Sequence, residues 1–197
     1  MIPVLTGLGL AAAAGWNAWA VLLLFEGLVN LMPQEFPGSV TAFLSHRVVF
    51  QAAVVLFLAE FVVNKIPLLD RFWESAQTLL RPVVGALLAL ACVAESSWLA
   101  RTAIIVGAVL VTLAAHLVKS TTRLTSTAAT RGATQFYLSL AEDVIAIALA
   151  TLMFFQPYFT LIFLAALLVV LLMHRPRVGH AIQVLFFRIQ HPRRRAE

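Results

Sequence analysis

The sequence predicts an all-α fold, a polytopic transmembrane helical bundle of about six spans with interfacial amphipathic helices. Two properties of the composition exclude an ordinary soluble domain. Of the 197 residues 61% are hydrophobic and only 12% are charged, whereas soluble domains have about 25% charged residues. The mean hydropathy is +0.94. The third observation is the charge distribution, because twelve of the 14 Lys and Arg residues lie on one side when the apolar segments are threaded through a bilayer.

Six apolar segments approach the length of a spanning helix, which needs about 20 residues because its backbone must satisfy its own hydrogen bonds in lipid. They are 2–31, 48–63, 82–93, 98–118, 136–155 and 158–173. The first is longer than one span, and its small residues around Gly15 predict that it tilts or breaks there. The third is short. A re-entrant third segment would place Arg123 and Arg131 on the side opposite Arg71, so we predict about six spans.

The charge distribution also predicts the orientation of the bundle. Cytoplasmic loops carry an excess of Lys and Arg, which indicates a multi-pass protein of the cytoplasmic (inner) membrane with both termini cytoplasmic. Only Arg47 and Arg101 fall on the outer side. The inner cations are Lys65, Arg71, Arg81, Lys119, Arg123, Arg131, Arg175, Arg177, Arg188, Arg193, Arg194 and Arg195.

Two segments outside the spans have an amphipathic helical pattern. Between the second and third spans an apolar stripe faces a polar one, which predicts an interfacial helix. The apolar stripe is Leu69, Phe72, Trp73, Ala76 and Leu80, and the polar one is Asp70, Arg71, Glu74 and Gln77. We predict a six-helix transmembrane domain over 1–175 and a cytoplasmic amphipathic helix with a basic tail over 176–197. Arg193, Arg194 and Arg195 are candidates for binding anionic lipid headgroups.

Ionisable residues inside the spans share one depth and form the candidate site. At about 1.5 Å of rise per residue, Glu60 lies roughly 7 Å before Lys65, and Glu142 lies roughly 9 Å beyond Phe136. Such side chains are costly in lipid and usually face a partner or a wet cavity. The predicted polar layer, in the cytoplasmic half of the bundle, contains Glu60, Asn64, Lys65, Arg81, His116, Lys119, Glu142 and Asp143.

Each part of this layer has a functional and a structural interpretation. Adjacent acids such as Glu142 and Asp143 need either protonation or a cationic partner, so the layer is a proton- or ion-responsive binding site or a set of salt bridges that fixes helix register. Lys65, Arg81 and Lys119 also suit snorkelling to the interface. Asn17, near the middle of the first segment, either bonds a neighbouring helix or lines a pore.

One stretch resembles an uncharacterised bacterial integral-membrane family, domain of unknown function four-one-two-six. The resemblance is most specific from Glu60-Phe-Val-Val-Asn-Lys-Ile-Pro67 to Arg81-Pro82-Val-Val-Gly85-Ala86, and extends to Gly7-Leu-Gly-Leu-Ala-Ala-Ala-Ala-Gly15 and Ser139-Leu-Ala-Glu-Asp143. This chain has Asn64 where the family often has Asp. The resemblance implies family membership and six helices over nearly the whole chain, and it implies no chemistry.

We expect a small transporter or channel subunit for a small solute or ion, working as a homo-oligomer with the polar layer as its site. The alternative is a non-transporting membrane scaffold that binds lipid or a protein partner through its amphipathic helices and tail. The predicted partners are the lipid bilayer, anionic lipids at the cytoplasmic face and further copies of the chain, with no nucleic acid.

No enzyme is predicted, since the sequence has no nucleophile triad, phosphate-binding glycine loop or paired-histidine motif. No metal or cofactor is predicted either. Cys92 is the single cysteine and lies in an apolar run, where a small buried hydrophobe is expected.

Overall fold

The computed structural model describes residues 1–36, 38–63, 67–93, 96–130 and 135–173. Over these residues the chain is all-helical, with eight α-helices and a short 3-10 turn, Pro33–Glu35. The helices are α1 Ile2–Ala14, α2 Ala18–Leu31, α3 Ser39–Leu44, α4 Arg47–Val63, α5 Pro67–Cys92, α6 Trp98–Thr130, α7 Gln135–Phe155 and α8 Phe159–Met173. The predicted amphipathic helix and basic tail over 176–197, with Arg193, Arg194 and Arg195, lie outside the described residues, as do Asn64 and Lys65.

The first predicted span is two helices, which confirms the expected break near Gly15. Helix α1 ends at Ala14, and α2 begins at Ala18 after Asn17, whose backbone is extended (φ −147°, ψ 104°). The Asn17 Oδ1 atom accepts hydrogen bonds from the amides of Trp19 (3.1 Å) and Ala20 (3.0 Å). Asn17 therefore caps α2, because it satisfies two amides that a new helix leaves without intrahelical partners.

Contacts with α7 give the direction of α1. An added Cβ at Gly9 would lie 2.7 Å from Met153 Cβ, near the end of α7. At the other end of α1, Asn17 Nδ2 lies 2.7 Å from Asp143 Oδ1, in the first half of α7. As the chain advances from residue 9 to 17, its neighbour in α7 changes from 153 to 143. Helix α1 therefore runs antiparallel to α7.

Helix α2 runs back along the same neighbour. The Phe25 ring lies edge-on to the Phe36 ring at 5.0 Å, and the Phe36 ring stacks on Phe154 at 5.6 Å. Phe154 is roughly 16 Å along α7 from Asp143, so Phe25 has returned to the end of the bundle where α1 begins. We call residues 2–31 the hairpin and Gly15–Asn17 its tip.

The first arm of the hairpin is the centre of the bundle. Leu10 and the alanines from Ala11 to Ala14 are completely buried. An added Cβ at Gly7 would lie 3.0 Å from the Ala89 backbone of α5, and Thr112 of α6 donates from Oγ1 to Ala11 O (2.8 Å). The small residues that the sequence analysis singled out thus permit close helix packing.

The third predicted span is corrected in length. Helix α5 is continuous from Pro67 to Cys92, so the predicted interfacial helix and the short span at 82–93 are one helix. An interfacial helix would expose its polar face to water, but here the polar face points into the bundle. Gln77 and Arg81 are buried, whereas Leu79 is 76% exposed. In lipid the apolar face belongs outside, and the polar face finds its partners inside.

The described residues contain three helices that are long and apolar enough to cross a membrane: Trp73–Cys92, Trp98–Arg123 and Phe136–Phe155. Shorter apolar helices are Ile2–Ala14, Ala18–Leu31 and Phe159–Met173. The count of six spans is not confirmed, because the first predicted span is a hairpin. Helices α4, α7 and α8 begin and end within one residue of the predicted segments. The predicted linker after 118 is helical as far as Thr130.

Candidate functional site

The tip presents two consecutive carbonyl groups to cations from neighbouring helices. Arg81 of α5 donates from Nη1 to Gly15 O (3.2 Å), and Lys119 of α6 donates from Nζ to Trp16 O (2.6 Å). The end of a helix leaves carbonyls without intrahelical partners and carries a partial negative charge. Both cations therefore stabilise the end of α1.

Arg81 is also half of a buried ion pair. Its Nη2 atom lies 2.8 Å from Glu60 Oε1, and the two side chains are 0% and 1% exposed. The same nitrogen is 3.7 Å from Glu74 Oε2. Removing one partner of such a pair is costly, because it leaves a desolvated charge without compensation. This pair joins α4 to α5 beside the tip.

Lys119 and Arg123 form the second ion-pair group, across α6 and α7. Lys119 Nζ is 3.1 Å from Glu142 Oε2 and 3.7 Å from Glu60 Oε1. Arg123 Nε is 3.1 Å from the other Glu142 oxygen, Oε1. Glu142 is 3% exposed, so its carboxylate lies between two cations in the interior. Lys119 connects this group to Glu60 and hence to Arg81.

His116 is held as a neutral ring by its two contacts. Its Nδ1 atom lies 2.7 Å from Arg81 Nη1, and a guanidinium has no acceptor atom, so Nδ1 must accept. Its Nε2 atom lies 3.0 Å from Thr78 Oγ1, whose own hydrogen points to Glu74 O (2.9 Å). The ring hydrogen therefore resides on Nε2, an assignment that follows from the hydrogen-bond network.

Asp143 differs from the other acids because no described residue is its cationic partner. Asn17 Nδ2 donates to its Oδ1 atom over 2.7 Å, and among the described residues no cation lies within 4.0 Å of it. Among the described residues, the acids at this depth are Glu60, Glu74, Glu142 and Asp143, and the cations are Arg81, Lys119 and Arg123. The structure thus adds Asn17, Glu74 and Arg123 to the predicted polar layer, of which Asn64 and Lys65 lie outside the described residues.

Seven of the eight predicted binding residues meet at the tip: Asn17, Glu60, Arg81, His116, Lys119, Glu142 and Asp143. The eighth, Lys65, lies outside the described residues. Arg81 and Lys119 are 0% and 1% exposed, and this burial contradicts their interpretation as residues that snorkel to the interface. Asn17 makes the predicted bond to a neighbouring helix.

Sequence reasoning missed Glu74, which it assigned to the exposed face of an interfacial helix. The Glu74 carboxylate accepts a hydrogen bond from Ser120 Oγ (2.9 Å) and lies 3.6 Å from His116 Nδ1. A usable signal was present, because polar residues recur at helical spacing on both helices. They are 74, 77, 78 and 81 on α5 and 116, 119, 120 and 123 on α6.

The polar layer has the chemistry of a site for protons or small ions. It combines carboxylates, cations and two backbone carbonyls at a helix break, and such breaks at membrane depth occur where the backbone is buried in protein or lines a cavity. No group of three His, Cys, Asp or Glu side chains in the described part of the chain is arranged to hold a metal ion.

Over the described residues, fold and site define an all-helical protein with three helices long and apolar enough to cross a membrane, in which an ion-pair network surrounds the tip of a helical hairpin. The chain belongs to the family described as Domain of unknown function (DUF4126), whose family model matches residues 4–177. This confirms the resemblance found in the sequence. No curated protein and no solved structure matches the chain.

Proposed function

We propose that this protein is a small transporter or channel subunit of the cytoplasmic membrane, and that a small solute or ion passes the tip of the hairpin. The observation that carries the proposal is the polar layer itself: charged side chains from α4, α5, α6 and α7 converge on the two carbonyls of a broken helix. Discontinuous helices in transporters present such carbonyls and helix ends to their solutes near the middle of the membrane.

Salt bridges that only fix helix register would not need this arrangement. Insertion of one charged residue at the centre of a spanning helix costs about 2.5–3.5 kcal/mol, and a well-packed apolar group often replaces a buried ion pair without loss of stability. Here three cations and four acids among the described residues share one layer with an interrupted backbone. A cluster of this cost favours a function over mere packing, and we infer transport rather than catalysis.

The hairpin changes the expected topology of the amino terminus. Both arms of a hairpin end on the same side of the membrane. Because residues 1–31 contain no Lys or Arg, the hairpin does not change which cations lie on the cytoplasmic side. We infer that the residue 1 end lies on the outer face, whereas the sequence alone predicted both termini in the cytoplasm. In this orientation the polar layer lies in the cytoplasmic half of the bundle. The outer cations are still Arg47 and Arg101.

The remaining expectations are part of the same proposal. Exposed apolar side chains cover α4 to α8, which suits contact with lipid or with further copies of the chain in a homo-oligomer. Binding of anionic lipids by Arg193, Arg194 and Arg195 stays a prediction. The alternative function, a non-transporting scaffold, depends on that tail: its removal would abolish partner or lipid binding in a scaffold but leave flux intact in a transporter.

Flux into proteoliposomes tests the proposal. Purified protein is reconstituted and screened with inorganic ions and small metabolites under imposed ion and pH gradients. We expect one solute class to move, and the double variant Glu142→Gln/Asp143→Asn to lose that movement while keeping the helical content of the wild type. The matched control is Glu26→Gln, which removes a buried acid of α2 outside the polar layer. Equal flux in wild type and double variant would refute a role for the layer.

A further inference from the structure

The Lys119 ammonium group occupies its position as a bound cation would. Its Nζ atom contacts Trp16 O at 2.6 Å and Glu142 Oε2 at 3.1 Å, with Glu60 Oε1 at 3.7 Å. A carbonyl at a helix break together with carboxylate oxygens is the kind of oxygen cage that holds a free cation at membrane depth. The occupant of this cage is tethered to α6 by a flexible four-carbon stem.

The acids of this cage do not depend on Lys119 alone. Glu60 has Arg81 at 2.8 Å, and Glu142 has Arg123 at 3.1 Å. The Glu142 Oε2 atom that faces Lys119 is buried and accepts no hydrogen bond of good geometry. Lys119 is thus the replaceable cation of the layer, whereas the two arginines hold the acids on their other sides.

A further carboxylate, that of Asp143, lies next to this cage. Asp143 follows Glu142 in α7, and its carboxylate is bonded to Asn17, the residue after Trp16. Among the described residues no cation lies within 4.0 Å of it. A monovalent cation entering here would give an ionised Asp143 a cationic partner.

We propose that Trp16 O and the Glu142 carboxylate, with Asp143 beside them, bind a free monovalent cation of about the size of an ammonium group in competition with Lys119. This inference rests on the proposed function and names its substrate class. When the free cation occupies the cage, the Lys119 side chain turns towards Glu60 Oε1, already 3.7 Å from Nζ. No covalent bond is made or broken: the free cation replaces the Lys119 ammonium at Trp16 O, and the complex gains one positive charge.

Thermal unfolding of Lys119→Met tests the proposal, because this variant empties the cage but keeps its oxygen atoms. The probes are ammonium, potassium and sodium chloride, each compared with N-methyl-D-glucamine chloride of equal ionic strength, whose cation is too large to enter. We expect at least one of the three small cations to raise the Tm of Lys119→Met saturably, with a half-maximal concentration at least about tenfold lower than for wild type. The ranking of the three cations measures the size of the site.

Two further variants serve as matched controls. Lys119→Met/Glu142→Gln removes the carboxylate as well as the ammonium, so its Tm should not respond to small cations. Arg123→Met removes the other cation beside Glu142 but leaves the Lys119 ammonium in the cage, so its response should resemble that of wild type. A cation response that persists in Lys119→Met/Glu142→Gln would place the binding elsewhere and overturn the proposal.

The result also separates this inference from the proposed function. If Lys119→Met folds only in the presence of a small cation, the cage is supported. If it stays unfolded in every salt, or folds and responds to none, the cage is refuted. A small-cation response without flux in proteoliposomes would contradict transport but retain the cation site. Flux of another solute without any such response would contradict the site but retain transport.

Discussion

Asn17 donates a hydrogen bond from Nδ2 to Asp143 Oδ1 over 2.7 Å while its own Oδ1 atom accepts the amides of Trp19 and Ala20. One amide side chain therefore caps α2 and fastens the tip of the hairpin to α7. Asn17 is the one side chain of Gly15–Asn17 that both caps α2 and bonds to an acid of the polar layer. The position of the candidate site depends on this relationship, since Asp143 is the acid of the layer that has no cation within 4.0 Å among the described residues.

Replacing Asn17 with alanine should loosen the hairpin. An N-cap contributes about 0.5–2 kcal/mol, and a hydrogen bond to a charged group about 1.5–3 kcal/mol, so Asn17→Ala should lower the stability by a few kcal/mol in total. Thermal unfolding in detergent, followed by circular dichroism, measures the loss. A Tm equal to that of wild type would mean that neither bond holds the tip.

The exchange variant is the control for this prediction. Asn17→Asp keeps a capping oxygen but places a second carboxylate beside Asp143, so it should be at least as destabilising as alanine. Adding Asp143→Asn restores one amide and one acid at the same two positions and should recover most of the Tm. If the double variant is as unstable as the sum of the single ones, the two residues are not coupled in the folded protein.

Gly15 should tolerate no side chain, because the tip touches α6 at this residue. An added Cβ would lie 2.6 Å from Ala115 Cβ and 2.7 Å from Thr112 O, and the second of these is a backbone atom that cannot move by itself. Gly15→Ala should therefore cost about 1–3 kcal/mol through overpacking. The measurement is again the Tm in detergent.

Gly27 provides the matched control on the second arm of the hairpin. An added Cβ there meets no atom within 4 Å, and alanine has a higher helix propensity than glycine by about 1 kcal/mol. Gly27→Ala should thus leave the Tm unchanged or raise it. Equal losses in both variants would contradict the close contact of the tip with α6.

Composition and charge predicted the all-helical class, the bounds of three helices and most of the residues that meet at the tip. The apolar segments gave α4, α7 and α8 within a residue at each end, because lipid imposes a length on a helix that faces it. Charged residues in apolar segments are costly enough to require partners. Because Glu60, Arg81 and Glu142 were expected at the same depth, we predicted that they would lie together. The structure confirms this: Arg81 pairs with Glu60, and Lys119 links Glu60 to Glu142.

The hairpin and the role of Glu74 were not predictable in the same way. Hydropathy has the same value for an apolar segment that crosses and for one that turns back, so only the contacts of Phe25 and Phe36 reveal the return. Glu74 lies on an amphipathic helix whose polar face points to water at an interface but to partners inside a bundle. The sequence pattern is identical in both cases, and the continuity of α5 decides between them.

The hairpin is the central claim of this account, since the tip brings the carbonyls of Gly15 and Trp16 into the polar layer. The most direct test is site-specific labelling with a membrane-impermeant thiol reagent in a Cys92→Ala background. Four exposed positions receive single cysteines: Ile2, Gln34, Ser97 and Tyr137.

We predict that Ile2→Cys, Gln34→Cys and Ser97→Cys react from one face of the membrane and Tyr137→Cys from the opposite face. This pattern follows because both arms of the hairpin end together and α7 begins at the other end of the bundle. Labelling of Ile2→Cys from the same face as Tyr137→Cys would show that residues 2–31 cross the membrane, and would contradict the hairpin.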